Sequence, residues 1–190
     1  MKRLTLLLLF WLAGVAQAAP PDSVVRITSH GGSGTVIATG DGWSIILSCG
    51  HMFRNVGSKG IIIDAPWADG TLNPKLSPAK NVGIKLIAVD HQSDLSVMLL
   101  NHGPMPYVAP VAPPNFRPGV CWSAGYDNLA LLKDRGGPAK CREANIVRGS
   151  GKFSYTRESP WHGRSGGALI DQSTGYLVGV CSAYTSGNRS

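Results

Sequence analysis

Apolar and polar positions alternate along this chain in short runs, and the apolar members are mostly Val, Ile and Leu. Residues 23–29 (SVVRITS), 34–39 (GTVIAT), 43–48 (WSIILS), 60–65 (GIIIDA), 82–89 (VGIKLIAV) and 94–100 (DLSVMLL) are bounded by Gly, Pro, Asn or Asp. Such runs predict six strands in the first half. No long segment keeps a helical period. Residues 101–118 (NHGPMPYVAPVAPPNFRP) then hold six prolines. Proline cannot donate to a sheet ladder, so this stretch is expected to be an extended connector. Five more strands are predicted beyond it, at 119–125, 141–147, 152–156, 167–171 and 176–184. The pattern is all-β: strand-rich segments at 19–100 and 119–190, each a small antiparallel β-barrel or sandwich, joined by the proline-rich linker. There is no internal repeat and no low-complexity tract.

The N-terminus breaks this pattern. Lys2 and Arg3 precede an apolar run from Leu4 to Ala16, and Ala16, Gln17 and Ala18 form a small-x-small site. This is the layout of a secretory signal peptide, expected to be cut after residue 18. The run is short for a membrane span, and the cleavage site argues against the alternative of an uncleaved anchor. The mature protein is therefore expected to be secreted or periplasmic, with no membrane attachment.

Charge adds little. The formal net charge is +7, and half of the basic residues outside the leader lie between Lys133 and Arg164. They are not interleaved with stacking aromatics, so a solvated cationic face is the reading adopted and a nucleic-acid partner is not expected. Four cysteines, Cys49, Cys121, Cys141 and Cys181, remain in the exported chain. None lies in a CxxC pair, which argues against a zinc site, and no metal or cofactor is expected. The even count permits two disulfides. Cys121 and Cys141 lie on consecutive predicted strands and are expected to pair.

Three segments carry chemistry. Residues 45–53 (IILSCGHMF) end an apolar strand in small residues followed by His51; residues 93–100 (SDLSVMLL) open one with Asp94; residues 163–170 (GRSGGALI) set Ser165 among glycines before another. A serine hydroxyl needs an adjacent base to become a nucleophile. His51 can take its proton, and an aspartate beside the imidazole fixes its tautomer. Glycines around Ser165 allow a tight turn that aims the N–H groups of Gly163 and Ser165 at a substrate oxygen. Other candidates fit less well: His30 precedes a glycine-rich turn, Asp90 reads as a turn residue, and His162 as a solvated loop histidine.

Residues 32–37 (GSGTVI) together with these three segments resemble the trypsin-like, chymotrypsin-fold serine peptidases, and most closely bacterial members such as the HtrA-type protease domain. The order His, Asp, Ser separates that family from subtilisins and α/β-hydrolases. The resemblance spans nearly all of the mature chain. It implies two six-stranded-type β-barrels with the site between them, a triad of His51, Asp94 and Ser165, an oxyanion hole from Gly163 and Ser165, and a protein or peptide substrate. It also brings Cys49 and Cys181 near each other as a second disulfide. Two rivals stand beside this reading. An inactive protease-like binding module predicts no acylation of Ser165, and a basic binding protein acting through residues 133–164 predicts polyanion binding that survives Ser165→Ala.

The chain also departs from the family. Arg164 replaces an aspartate that many relatives pair with a newly freed N-terminus, so no activating cut beyond leader removal is expected. Ala168 replaces a proline. Ser159 falls at the floor of the specificity pocket, Ser182 on the strand that pairs with substrate backbone and Tyr184 at the pocket entrance; together they suggest small, uncharged side chains. The second barrel is expected to lack the family's last strand, and no PDZ domain is expected in these 190 residues.

Overall fold

The computed structural model describes residues 20–54, 61–64, 83–101, 105, 107–127, 140–144, 146–148, 154–156 and 162–182. The leader lies outside them. The architecture is all-β, and among the described residues helix is limited to short 3-10 turns. In the first half β1 (Val24–Ile27), β2 (Gly32–Gly40), β3 (Trp43–Cys49), β4 (Ile63–Asp64), β5 (Gly83–Asp90) and β6 (Leu95–Asn101) form one six-stranded sheet in the order β4-β1-β2-β3-β6-β5. All its pairings are antiparallel.

Period-2 patterning makes this sheet curl around one core. Along β3 and β6 alternate side chains are buried, and the register sets Ile46 opposite Met98 and Ser44 opposite Leu100. Val25, Ile27, Val36, Ile46, Met98 and Leu100 meet inside with Phe53, Ile63 and Met105. Each such aliphatic or methionine burial contributes about 1.5–3 kcal/mol. Register shifts at Val36/Ala38 and Leu86/Ala88 bend the ladder, as one extra residue on a strand does.

The second half is less uniform. β7 (Cys121–Gly125), β8 (Lys140–Ala144), β11 (Ala168–Asp171) and β12 (Leu177–Val180) form a four-stranded antiparallel sheet ordered β12-β11-β7-β8, while β9 (Ile146–Arg148) and β10 (Ser154–Thr156) form a separate hairpin. The single strand expected over 141–147 is thus two strands in two sheets. Six strands are described here rather than five. Val24, Ala109, Ala124, Tyr126, Ala168, Ile170 and Leu177 make the second core.

β1 is buried on both faces and joins the halves. Val24 packs in the second core while Val25 and Ile27 pack in the first. Arg26 lies over the Tyr126 ring, 5.6 Å from its centroid. Residues 109–112 of the proline-rich stretch are bonded to both halves. Its Ala109 N–H donates to Val36 O (2.9 Å), Ala112 N–H donates to Leu177 O (2.9 Å), and Pro110 O accepts from Leu177 N–H (2.8 Å). Proline removes donors, and its carbonyls still pair.

Both expected disulfides are absent: all four cysteines are free thiols. Register explains the first. Cys121 faces Ala144 and Cys141 faces Ala124, an offset of three residues on paired strands. That is about 10 Å along the strand with the side chains on opposite faces, beyond the span of a disulfide. In the second proposed pair the sulfurs have different neighbours. Cys49 Sγ lies 3.6 Å from His51 Nε2, and Cys181 Sγ lies 3.6 Å from Ser123 Oγ. Burial pushes the Cys121 thiol up to about 11, with the charge of Asp171 adding to it. Cys141 reaches about 11 through burial that outweighs the opposing charge of Arg164, and burial also raises Cys181.

Candidate active site

The site begins where two strands of the first sheet end together. β3 runs into a 3-10 turn, His51–Phe53, and the β5–β6 hairpin turns through residues 91–94. Asp90 caps that turn by accepting the N–H groups of Gln92 (2.9 Å) and Ser93 (3.2 Å). Cys49 pairs with Leu95 in register, so His51 and Asp94, just past that rung, emerge side by side. Asp94 has φ 54°, the one left-handed non-glycine among the described residues. Such a conformation persists only where surrounding contacts fix it.

Those contacts are polar and specific. Asp94 Oδ1 accepts the His51 backbone N–H (2.6 Å), and Oδ2 pairs with His51 Nδ1 (2.8 Å). The Ser182 hydroxyl donates to the same Oδ2. Burial works to raise the pKa of Asp94, but the bonds from Ser182 and His51 and the imidazole charge outweigh it and hold the carboxyl below its ordinary range. With Nδ1–H donated to Asp94, Nε2 is the acceptor nitrogen. It faces the Cys49 sulfur at 3.6 Å. Burial, and then the Asp94 charge, push that thiol up to about 12, so it stays protonated and is no thiolate nucleophile.

The Ser165 turn is built differently. Gly163 and Gly166 have φ 93° and 83°, and a Cβ at Gly166 would lie 2.0 Å from Ser33 O and 2.1 Å from Ser48 Oγ. Only glycine serves there. Ser33, on β2 of the first sheet, grips the turn: its N–H donates to Ser165 O (2.7 Å) and its hydroxyl to Gly163 O (2.8 Å). The same hydroxyl accepts Tyr126 N–H (2.9 Å), and Ser33 O accepts the Ser48 hydroxyl (2.7 Å). Gly166 N–H donates to Cys181 O (2.7 Å) and Gly167 N–H to Arg164 O (2.8 Å). The carbonyls of Gly163 and Ser165 are thereby turned into the protein. Among the described residues no acceptor takes their N–H groups.

One path links the halves of the site. Gly166 is bonded to Cys181, and the next residue, Ser182, is bonded to Asp94. A Cβ added to Gly32 would lie 3.0 Å from Ser165 O and 2.0 Å from the sulfur of Met52, the neighbour of His51. Thus His51, Asp94, Gly163, Ser165 and Ser182 converge, although among the described residues no hydrogen bond joins the Ser165 hydroxyl to His51. Ser182, expected to meet substrate, gives its hydroxyl to Asp94. Ser159 and Tyr184 lie outside the described residues. His162 is exposed, and His30 packs on Phe53 with ring centroids 5.0 Å apart. Sequence reasoning missed Ser33, Ser48 and Asp127. The first two lie inside the quoted motifs but read as ordinary strand polar residues, and Asp127 carries no local signal at all. No cluster of three His, Cys, Asp or Glu suited to a metal ion occurs among the described residues.

The model of the trypsin-like peptidase domain matches residues 32–180. Among solved structures the chain is similar to the serine endoprotease from Yersinia pestis, with a TM-score of 0.60 at 22% identity, over 89% of this chain and 56% of that one. The likeness is one of fold, a chymotrypsin-like pair of β-barrels, and this chain spans little more than half of the length of that relative. No curated protein matches it.

Proposed function

The chain belongs to the trypsin-like peptidase domain family, the serine-type endopeptidases, and from that premise we propose that it hydrolyses peptide bonds through His51, Asp94 and Ser165. Ser165 Oγ attacks the substrate carbonyl carbon while His51 Nε2 takes the hydroxyl proton. The oxyanion so formed is met by the N–H groups of Gly163 and Ser165; one such donor is worth about 3–4 kcal/mol. When the tetrahedral adduct collapses, His51 returns the proton to the leaving amine, and an ester to Ser165 remains. Water, deprotonated by the same nitrogen, then releases the acid product and restores the hydroxyl. Asp94 fixes the tautomer throughout and stabilises the imidazolium. With the leader removed, this activity would lie outside the cytoplasm, on protein or peptide substrates.

The observation that carries the reading is the pair of hydrogen bonds that Asp94 accepts from the backbone and ring of His51, beside a turn whose two N–H groups have no acceptor among the described residues. Covalent labelling by a fluorophosphonate probe tests it. Labelling of the wild type that vanishes in Ser165→Ala is expected; a folded wild type that resists the probe would refute the triad. One observation favours a second reading, an inactive protease-like binding module: His51 Nε2 faces Cys49 rather than Ser165. Absence of labelling in both wild type and Cys49→Ala is the result which that reading requires.

A further inference from the structure

Arg164 sits between the two residues whose N–H groups are assigned to the oxyanion hole, yet its side chain points away from the cleft and is buried. Its guanidinium is held by four bonds. Nε donates to Asp127 Oδ1 (2.7 Å), a second nitrogen to Asp127 Oδ2 (3.0 Å), and the third to both Ser123 O and Ser123 Oγ (each 3.0 Å). Arg164 and Asp127 are each 2% exposed. Asp127 also receives Arg142, from the surface side, at 3.4 Å. The stem of Arg164 crosses Gly125, where an added Cβ would lie 2.9 Å from its Cγ.

A fully buried ion pair is weak evidence for stability, because desolvation offsets the attraction. Its distinguishing property is geometric. Two parallel bonds from a planar fork to a carboxylate fix orientation as well as distance, which a lysine cannot do. Here the fork is tied to β7 and to the second residue beyond it, and the Arg164 Cα belongs to the peptide unit that carries the Ser165 N–H and lies one peptide unit from that of the Gly163 N–H. We infer that the Arg164–Asp127 pair is the positioning device that sets the 163–165 turn in its donor-forward form. It does so from within the chain, with no contribution from a newly cut N-terminus. The inference rests on the peptidase reading of this turn, and it adds the residues that hold that turn ready.

The test uses the mature chain and two variants, Arg164→Met/Asp127→Leu, which removes both charges and keeps the volume, and Arg164→Lys, which keeps the charge and loses the fork. Order at the backbone amides of Gly163 and Ser165 is read by 15N relaxation, and the rate of fluorophosphonate labelling is read beside it. The variants are expected to fold, to lose order at those two amides selectively, and to label at least about tenfold more slowly. Should either variant fail to fold, the other decides on the same readout. Amides as ordered as in the wild type, in a folded variant, would overturn the inference whatever the probe does. A wild type that does not label removes the peptidase reading instead, and the amide comparison still decides whether the pair positions the turn.

Discussion

The two halves of the molecule hold their parts of the site by opposite means. In the first, His51 and Asp94 stand at the ends of neighbouring strands of a sheet that packs on a contiguous apolar core. The apolar core fixes the strand ends, and polar bonds make only the last adjustment. In the second, the Ser165 turn is enclosed by polar groups from both halves: Ser33 and Ser48 of the first, with Ser123, Asp127 and Arg164 of the second, are all buried. An aliphatic core tolerates small shifts because its attraction has no direction. A buried polar shell works only when every partner is met, and it fails when one is removed. The proposed base therefore sits on a forgiving scaffold and the proposed nucleophile on an exacting one.

Four substitutions sharpen that contrast. The largest expected effect is on chemistry. Asp94→Asn keeps the shape of the side chain but loses the charge and the correct His51 tautomer, so labelling should slow by about 10⁴-fold while the protein stays folded with a modestly lower melting temperature. Loss of labelling together with loss of fold would show that Asp94 serves the turn rather than the imidazole.

Next come two stability changes, one in the apolar core of the first sheet and one in the polar shell of the Ser165 turn. Ile46→Ala opens the first core, where the residue faces Met98, and should cost about 2–5 kcal/mol in denaturant unfolding, with labelling of the folded fraction retained. Ser33→Ala removes a hydroxyl that serves Gly163 O and Tyr126 N–H at once, leaving both without that partner. It should cost less, about 1–3 kcal/mol, and should still slow labelling of the folded protein. If Ile46→Ala slows labelling more than Ser33→Ala does, the contrast between the scaffolds is wrong.

The same contrast explains what was legible in the sequence. The strands carrying His51 and Asp94 announce themselves by period-2 alternation, because the force that builds them is apolar burial repeated along the chain. β3 and β6 fall within a residue or so of their expected limits. The glycines about Ser165 were legible because positive φ and close backbone approach leave no other choice. Ser33 and Asp127 were not. Their partners lie 130 and 37 residues away in the chain, and a serine or aspartate carries no mark of what it will meet. Arg164 was noticed as a departure from the family, while its partner was visible only once the fold placed it. The cysteines misled because an even count speaks to compartment and not to register. Three residues of offset between Cys121 and Cys141 cannot be counted before the strands are aligned.

The smallest predicted effect separates the halves by acid. Asp171, buried at the end of β11, accepts the hydroxyl of Ser173 (2.6 Å), the hydroxyl and N–H of Thr174 (2.9 and 3.0 Å) and, on its other oxygen, the N–H of Gly119 (2.7 Å). Burial acts to raise its pKa, but these donors outweigh it and bring the group from an ordinary 3.8 to about 2. A carboxyl whose pKa is lower folded than unfolded contributes stability in its ionised form. That contribution is complete above the unfolded value and is lost as pH falls from about 3.8 through about 2. Asp171→Asn should therefore be less stable than the wild type at neutral pH, and the gap should close across that acid window. Amide exchange should register it in β11 and β12 before β3 and β6, since among the described residues the first sheet holds no buried carboxylate. A gap that stays constant down to pH 2 would mean that the turn is held by shape and not by charge, and the polar account of the second half would lose its clearest electrostatic term.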